Sequence, residues 1–313
     1  MTYSIVARDP GTGDLGVAVQ SKFLAVGAVV PWARAGVGAL ATQSFANVAY
    51  GPDGLALLAD GHAAGHVLDR LVAADDQREH RQLGIVDARG RAATHTGNDC
   101  FAWAGGRTGQ NFAAQGNILG DAAVVDGLVD KFLAADKPFP ELLVACLAAA
   151  EEAGGDRRGS ESASLLIVRD GGGFGGANDR WIDLRVDQHD DPVGELGRIL
   201  AFQRLYYDHP EPADLVPLDE STAAELRSLL ERIGGGPGGR FGTVYRRMSG
   251  EPPEDDPHPA AGEPRAFPAN WDDAWQLALT EWMDVENLEA RMAAPGWIDP
   301  RVIEILRSRQ AGW

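Results

Sequence analysis

The sequence predicts an α+β protein in which antiparallel sheets carry helices on their outer faces. Three observations carry that prediction. Strand-prone runs come in pairs around short turns, and two long Ala/Leu/Val-rich helical stretches stand together in mid-chain. Strand and helix nowhere alternate regularly, as a doubly wound parallel sheet would require. Of the 313 residues, 44% are hydrophobic and 24% charged, enough for a sizeable core in one large domain or two smaller ones.

Residues 3–8 and 15–19 flank the turn formers of 9–14, which predicts an opening hairpin. Residues 25–30 and 37–42 are apolar throughout and read as strands covered on both faces, broken at Pro31 and Gly36. Leu55, Leu58, Val67, Leu68, Leu71 and Val72 then follow helical spacing over 51–74, with Gly61 ending the first of two helices. A second hairpin is expected at 82–87 and 92–96, and a short strand at 112–115. Helices follow at 121–135 and 141–153, the second stopped by Gly154-Gly155. A last hairpin spans 164–168 and 181–186, and Pro192 opens a helix to about 207.

Past 210 the texture changes. Residues 221–233 form an amphipathic helix, and a glycine-rich run follows at 234–239. Residues 249–268 are proline-rich and acidic, so a disordered insertion is expected there. Helices at 272–292 and 299–309 close the chain. Trp271, Trp275 and Trp282 either pack the core of this region or line a groove. The expected division is 1–210 and 211–313.

Composition excludes several functions. With 28 Lys and Arg against 46 Asp and Glu, the net charge of −18 argues against nucleic acid as a partner. No run reaches the roughly 18 apolar residues of a membrane span, and the N-terminus has no basic, apolar export signal, so a cytoplasmic protein is expected. Cys100 and Cys146 are too few for a disulfide framework and suit a reducing compartment. His62 and His66 are spaced i, i+4, but Gly61 and Gly65 beside them weaken the helix. No carboxylate stands at a telling distance, and no metal or cofactor is expected. A homo-oligomer is compatible with the sequence and not fixed by it.

No dinucleotide fingerprint, P-loop or HExxH is present, and the glycines of 171–176 sit in a hairpin loop. Attention turns to the N-terminus. Methionine before a small residue is normally trimmed, which would leave Thr2 with a hydroxyl and a free amine of pKa about 8, a self-contained nucleophile and base. The opening hairpin returns Ser21 and Lys22 beside Thr2, where a lysine would lower the amine and hydroxyl pKa values. The alternative is an ordinary Met-Thr start without chemistry.

Other polar groups are open in the same way. His80 and Arg81 belong either to a charged connection or to a clamp on a substrate carboxylate. His95 is structural or orients a carbonyl. Gln115-Gly116-Asn117 caps a helix or forms an oxyanion hole. Asp156-Arg157-Arg158 is a loop ion pair or reads an anionic substrate. Tyr50 covers the core or lines a site.

The stretches TYSIVARDPGTGDLGVAVQSKF from Thr2, VPWARAGVGALATQ from Val30, NVAYGPDGLALL from Asn47, REHRQLGIVD from Arg78 and HTGNDC from His95 resemble one family. So do QGNIL from Gln115, GGDRRGSESASLLIV from Gly154 and IDLRVDQHDDPV from Ile182. It is domain-of-unknown-function family 1028, within the N-terminal nucleophile hydrolase superfamily. The resemblance implies a four-layer αββα sandwich and amide-bond cleavage, with the first side chain attacking and its own amine as base. In that reading Thr2 attacks, Ser21 and Lys22 tune it, and Asn117 holds the oxyanion. Gln43, Tyr50, His80, Gln82, His95, Asp156, Arg157 and Arg158 are the substrate-binding candidates.

Three positions depart from the pattern. No lysine lies between Lys22 and Lys131, Gln20 stands where an aspartate is common, and Glu161 where glutamine is usual. The substrate would be a small amide or peptide; the other function such a fold allows is a binding protein without catalysis. Residues 223–235 and 270–292 resemble a peptidoglycan-binding domain, which implies a wall fragment as partner, or a lid or dimer contact.

Overall fold

The computed structural model describes residues 2–155, 158–241 and 262–309. The chain divides into two compact units, residues 1–200 and 201–313.

In the first unit, β1 (Thr2–Arg8) and β2 (Leu15–Ser21) form the opening hairpin, with Thr2 opposite Ser21 and Arg8 opposite Leu15. The Asp9 carboxylate accepts from the Gly11 N–H at 2.8 Å and the Thr12 hydroxyl at 3.1 Å, which closes the turn. A second sheet is built from β3 (Pro31–Arg34), β4 (Gly38–Ser44), β5 (Arg81–Asp87) and β6 (Ala92–Thr96), antiparallel in chain order. The first sheet adds β7 (Gly105–Gly109), β8 (Phe112–Asn117), β9 (Ser162–Val168) and β10 (Arg180–Val186), in the antiparallel order β10-β9-β2-β1-β8-β7. β1 is therefore a central strand, held by β2 on one edge and β8 on the other.

Strand alternation assigns the faces. Tyr3, Ile5 and Ala7 pack in one core with α3 (Ala123–Ala134) and α4 (Phe139–Glu152). The opposite face brings Val6, Val17, Val19 and Leu166 against Ala39, Ala41 and Val86 of the second sheet. Leu40, Leu83 and Ile85, on that sheet's other face, are covered by α1 (Tyr50–Ala59) and α2 (Ala64–Ala73). α5 (Pro192–Tyr207) adds Val193, Leu196 and Leu200 to the core beneath α3 and α4. Helices thus back both antiparallel sheets, as expected.

Two local expectations change. Residues 25–30 are not a strand: Ala25 is left-handed at φ 54°, Val26–Ala28 is a 3₁₀ turn, and pairing begins at Pro31. Val26 and Val30 are buried all the same, so the apolar run reported burial and not extension. β7 was not foreseen, because Gly-Gly-Arg-Thr-Gly has no apolar alternation and becomes a strand only by pairing with β8.

The second unit contains α6 (Glu220–Arg232), α7 (Asp273–Val285) and α8 (Pro300–Ser308), with β11 (Val216–Pro217) paired to β12 (Trp297–Ile298). Each helix begins at an aspartate, Asp219, Asp272 and Asp299, whose carboxylate accepts an N–H of the first turn. Leu226, Leu230, Trp271, Trp282, Met283, Val302 and Leu306 form the core, and Leu205 and Tyr206 pack on it. This unit therefore takes in residues from 201, ten earlier than the expected division. Trp271 and Trp282 are core residues, while Trp275 is half-buried with the Arg227 guanidinium 4.6 Å from its ring.

Of the expected insertion, 249–261 lie outside the described residues, and 262–268 run without helix or strand. Among the described residues no helix is long and apolar enough to cross a membrane.

Candidate active site

Thr2, Ser4 and Val6 point from β1 toward the second sheet, and the face changes character along the strand. Around Val6 it is apolar; around Thr2 it is polar and still buried. Thr2 lies opposite Ser21 on one side and Asn117 on the other. Its Oγ1 is 2.9 Å from Ser21 Oγ, which also accepts the Phe23 N–H at 3.0 Å. The Thr2 side chain is 7% exposed.

A chain of carboxamides runs beneath this pair. Gln115 Nε2 donates to Ser4 Oγ at 2.7 Å, and Ser4 Oγ donates to Gln43 Oε1 at 2.7 Å. Gln43 Nε2 and Asn117 Nδ2 both donate to Gln82 Oε1, at 2.8 and 2.9 Å. Gln82 Nε2 donates to Gly116 O at 2.8 Å and Thr96 Oγ1 at 2.9 Å. Gln43 Nε2 also lies 3.4 Å from the Thr2 carbonyl oxygen. Glycine at position 84 makes room for this arrangement, since a Cβ there would meet Gln115 Oε1 at 2.0 Å. These bonds link hydroxyls, carboxamides and backbone, so the Thr2 hydroxyl is fixed in a neutral setting.

The structure thus gathers Thr2, Ser21, Gln43, Gln82 and Asn117 from the predicted set. Gln43 and Gln82 are fully buried and bonded to each other, so as placed they shape the site and do not face a ligand. Asn117 is likewise buried, with its side-chain donor directed to Gln82.

Other candidates lie elsewhere. Lys22 Nζ bonds Glu161 Oε2 at 2.6 Å and Ser160 O at 3.2 Å; alternation turns it from the face on which Ser21 meets Thr2. Its hydrogen bond holds the Glu161 carboxyl below the usual range. His95 lies opposite Leu83, off the Thr94–Thr96 face, with Nε2 3.0 Å from Arg78 O. Arg158 is exposed, and Asp156 and Arg157 lie outside the described residues.

Tyr50 belongs to a separate cluster. Its hydroxyl donates to Asp75 Oδ2 at 2.9 Å, which also accepts from Arg81 Nε at 2.9 Å and Asn47 Nδ2 at 3.1 Å. Burial, then the Asp75 bond, raises the Tyr50 phenol above its ordinary value. Burial opposes ionisation of Asp75, but bonds from Arg81, the Gln77 N–H, Asn47 and Tyr50 together hold it well below the carboxylate range. Arg81 further binds the Phe45 carbonyl and Gln77, so it ties down the β4–α1 loop where a substrate clamp was an alternative. His80 sits at the surface, 3.6 Å from Asp99 Oδ2, with its ring edge-on to Phe45.

Sequence reasoning missed Ser4, Thr94 and Thr96 as site members, and Gln115, one alternative for an oxyanion hole, instead donates to Ser4 Oγ. Ser4 was available from alternation, being two residues from Thr2 on the same face. Cys100 lies beside the site, with Sγ 3.4 Å from the Arg81 carbonyl, and burial pushes its thiol pKa up, against a nucleophilic thiolate.

Comparison with known proteins places this geometry. A model described as "Family of unknown function (DUF1028)" matches residues 2–196, and one described as "Putative peptidoglycan binding domain" matches 263–306. The crystal structure of a Silicibacter pomeroyi protein assigned to the same DUF1028 model is 32% identical with a TM-score of 0.60, covering 65% of this chain and 89% of that one. Anbu (ancestral beta-subunit) from Yersinia bercovieri overlaps at 12% identity and a TM-score of 0.30, over 64% of this chain and 93% of that one, too loosely to bear on the fold. No curated protein matches. With most of its length, and the whole Thr2 cluster, inside the first match, the chain belongs to the DUF1028 family of unknown function.

Proposed function

We propose that this protein is an amidohydrolase of the N-terminal nucleophile type, built on that superfamily's four-layer αββα sandwich. Its substrate would be a small amide or peptide in the cytoplasm. One observation carries the reading: Thr2 opens a central strand between two facing sheets, with its hydroxyl 2.9 Å from Ser21 in a neutral, nearly buried setting. Removal of Met1 would put an amine on the same residue. That amine takes the hydroxyl proton as Oγ1 attacks the carbonyl carbon; the C–O bond forms while the carbonyl π pair moves to oxygen. Collapse of the tetrahedral intermediate breaks the C–N bond, and the proton passes to the leaving amine. Water then hydrolyses the Thr2 ester. Asn117 and the N–H groups near it are the candidate oxyanion donors.

A specific observation favours a second reading, a binding protein of the same fold. Asn117 Nδ2 already serves Gln82, and Lys22 serves Glu161, so two expected catalytic aids are occupied. The match at 263–306 supports a wall-derived peptide as partner in either case.

Intact mass spectrometry followed by an amide screen separates the two. The expected result is a mass short by one methionine, with hydrolysis lost at least about a thousandfold in Thr2→Ala while the fold is retained. Met1 fully retained, or turnover unchanged in Thr2→Ala, rejects the nucleophile.

A further inference from the structure

Four large apolar side chains are left half-exposed or more around the end of the sheets where Thr2 lies: Phe23 at 56%, Leu24 at 61%, Phe45 at 54% and Phe101 at 59%. Three of them are tied to residues of the Thr2 cluster, and Leu24 stands next to Phe23. Phe23 follows Ser21 by two residues and donates its N–H to the Ser21 hydroxyl that meets Thr2. Phe45 follows Gln43 by two, on the loop that Arg81 ties down through the Phe45 carbonyl. Phe101 O accepts the N–H of Ile118, the residue after Asn117. The Phe45 and Phe101 rings stand 6.3 Å apart, and His80 is edge-on to Phe45 at 5.7 Å.

Single exposed apolar residues are ordinary, but a group of aromatics around one site signals a ligand surface. Its size decides the occupant. With a full side chain near 200 Å², these residues expose roughly 450 Å² of apolar surface. A stable interface with a second copy needs about 800 Å² per partner. The patch suits one bulky side chain of a small molecule, held beside a hydroxyl that is itself almost closed off.

We propose that Phe23, Leu24, Phe45 and Phe101 form an apolar subsite of the Thr2 centre, so the substrate is an amide with an aromatic or branched aliphatic group next to the scissile bond. The catalytic half of this statement rests on the reading of Thr2 as the nucleophile; the binding half does not.

The test therefore measures both. Calorimetry on full-length Thr2→Ala compares N-acetyl-phenylalanine amide with N-acetyl-alanine amide, and hydrolysis of the matching coumarin amides is followed with the native protein. We expect the phenylalanine ligand to bind at least about tenfold more tightly. The Phe45→Ala/Phe101→Ala double variant, checked for folding by circular dichroism, should bring that ratio toward one. Equal binding of the two ligands, or a preference that survives the double variant, overturns the subsite. A dimer that Phe45→Ser/Phe101→Ser dissociates in sedimentation also overturns it, because the patch then belongs to a second copy. Preferential binding without any turnover keeps the subsite and removes the nucleophile. Equal turnover of both amides, lost in Thr2→Ala, does the reverse.

Discussion

At the Thr2 end of its two sheets the first unit buries neutral polar groups, Thr2, Ser4, Ser21, Gln43, Gln82, Gln115 and Asn117, hydrogen-bonded to one another or to backbone, while its buried carboxylates Asp14 and Asp87 pair with Arg169 and Arg91 elsewhere. Among its described residues the second unit has one ion pair buried at both ends, Arg291 at 1% and Asp299 at 2% exposure. Arg291 also donates to the carbonyls of Leu205 at 2.7 Å and Arg204 at 2.5 Å, and Asp299 caps α8. The arginine thus joins the last turn of α5 to the start of the final helix. Charge is used where chain segments are fastened together. If the proposed function holds, a charge near Thr2 would move the pKa of the amine that serves as base, and the neutral cluster avoids this.

The largest expected effect is in the second unit. Arg291→Met leaves Asp299 buried without its partner and should cost roughly 3–5 kcal/mol in chemical unfolding of the full chain. Adding Asp299→Asn should recover more than half of the loss, since both charges are then gone. A loss below about 1 kcal/mol in the single variant would show that the pair fastens nothing.

Gln82→Leu should follow at about 2–4 kcal/mol, because it leaves the Gln43 and Asn117 amides and the Gly116 carbonyl without their partner. Its contrast is Val17→Ala in the apolar half of the same interface, at about 2 kcal/mol for two lost methyl equivalents. If Gln82→Leu proves neutral, the carboxamide chain does not hold the site and the comparison of the two units fails.

The smallest effect concerns pH. Asp75 has its folded pKa below the unfolded value, so its contribution is fully present above about pH 4 and fades as pH falls toward the folded pKa. Melting temperatures should therefore drop more steeply from pH 4 to pH 2 in the native protein than in Asp75→Asn. Parallel curves would remove Asp75 as an anchor of the β4–α1 loop.

The sequence makes part of this legible. The turn formers at 9–14 set the hairpin length, and hairpin arithmetic then brings Ser21 to Thr2. Gly61 and Gly154-Gly155 mark helix ends in advance for the same local reason. The rest depends on contacts that no window of sequence contains. Gln43 and Gln82 read as polar ends of apolar strands, and only the approach of the first sheet turns them inward. Lys22 reads as a neighbour of Thr2 until Glu161, 139 residues away, takes its ammonium. β7 has no signal of its own and exists because β8 offers an edge.

The position of β1 also sets an order of events during synthesis. Its hairpin partner is complete by Ser21, but β8 is finished only at Asn117 and β9 at Val168. While the chain emerges from its N-terminus, β1 has a single strand beside it for nearly a hundred residues of elongation. During that interval the start of the chain is open to a trimming enzyme. Once both sheets have met, Thr2 is enclosed, so the removal of Met1 that the proposed function requires would fall to the nascent chain and not to the finished protein.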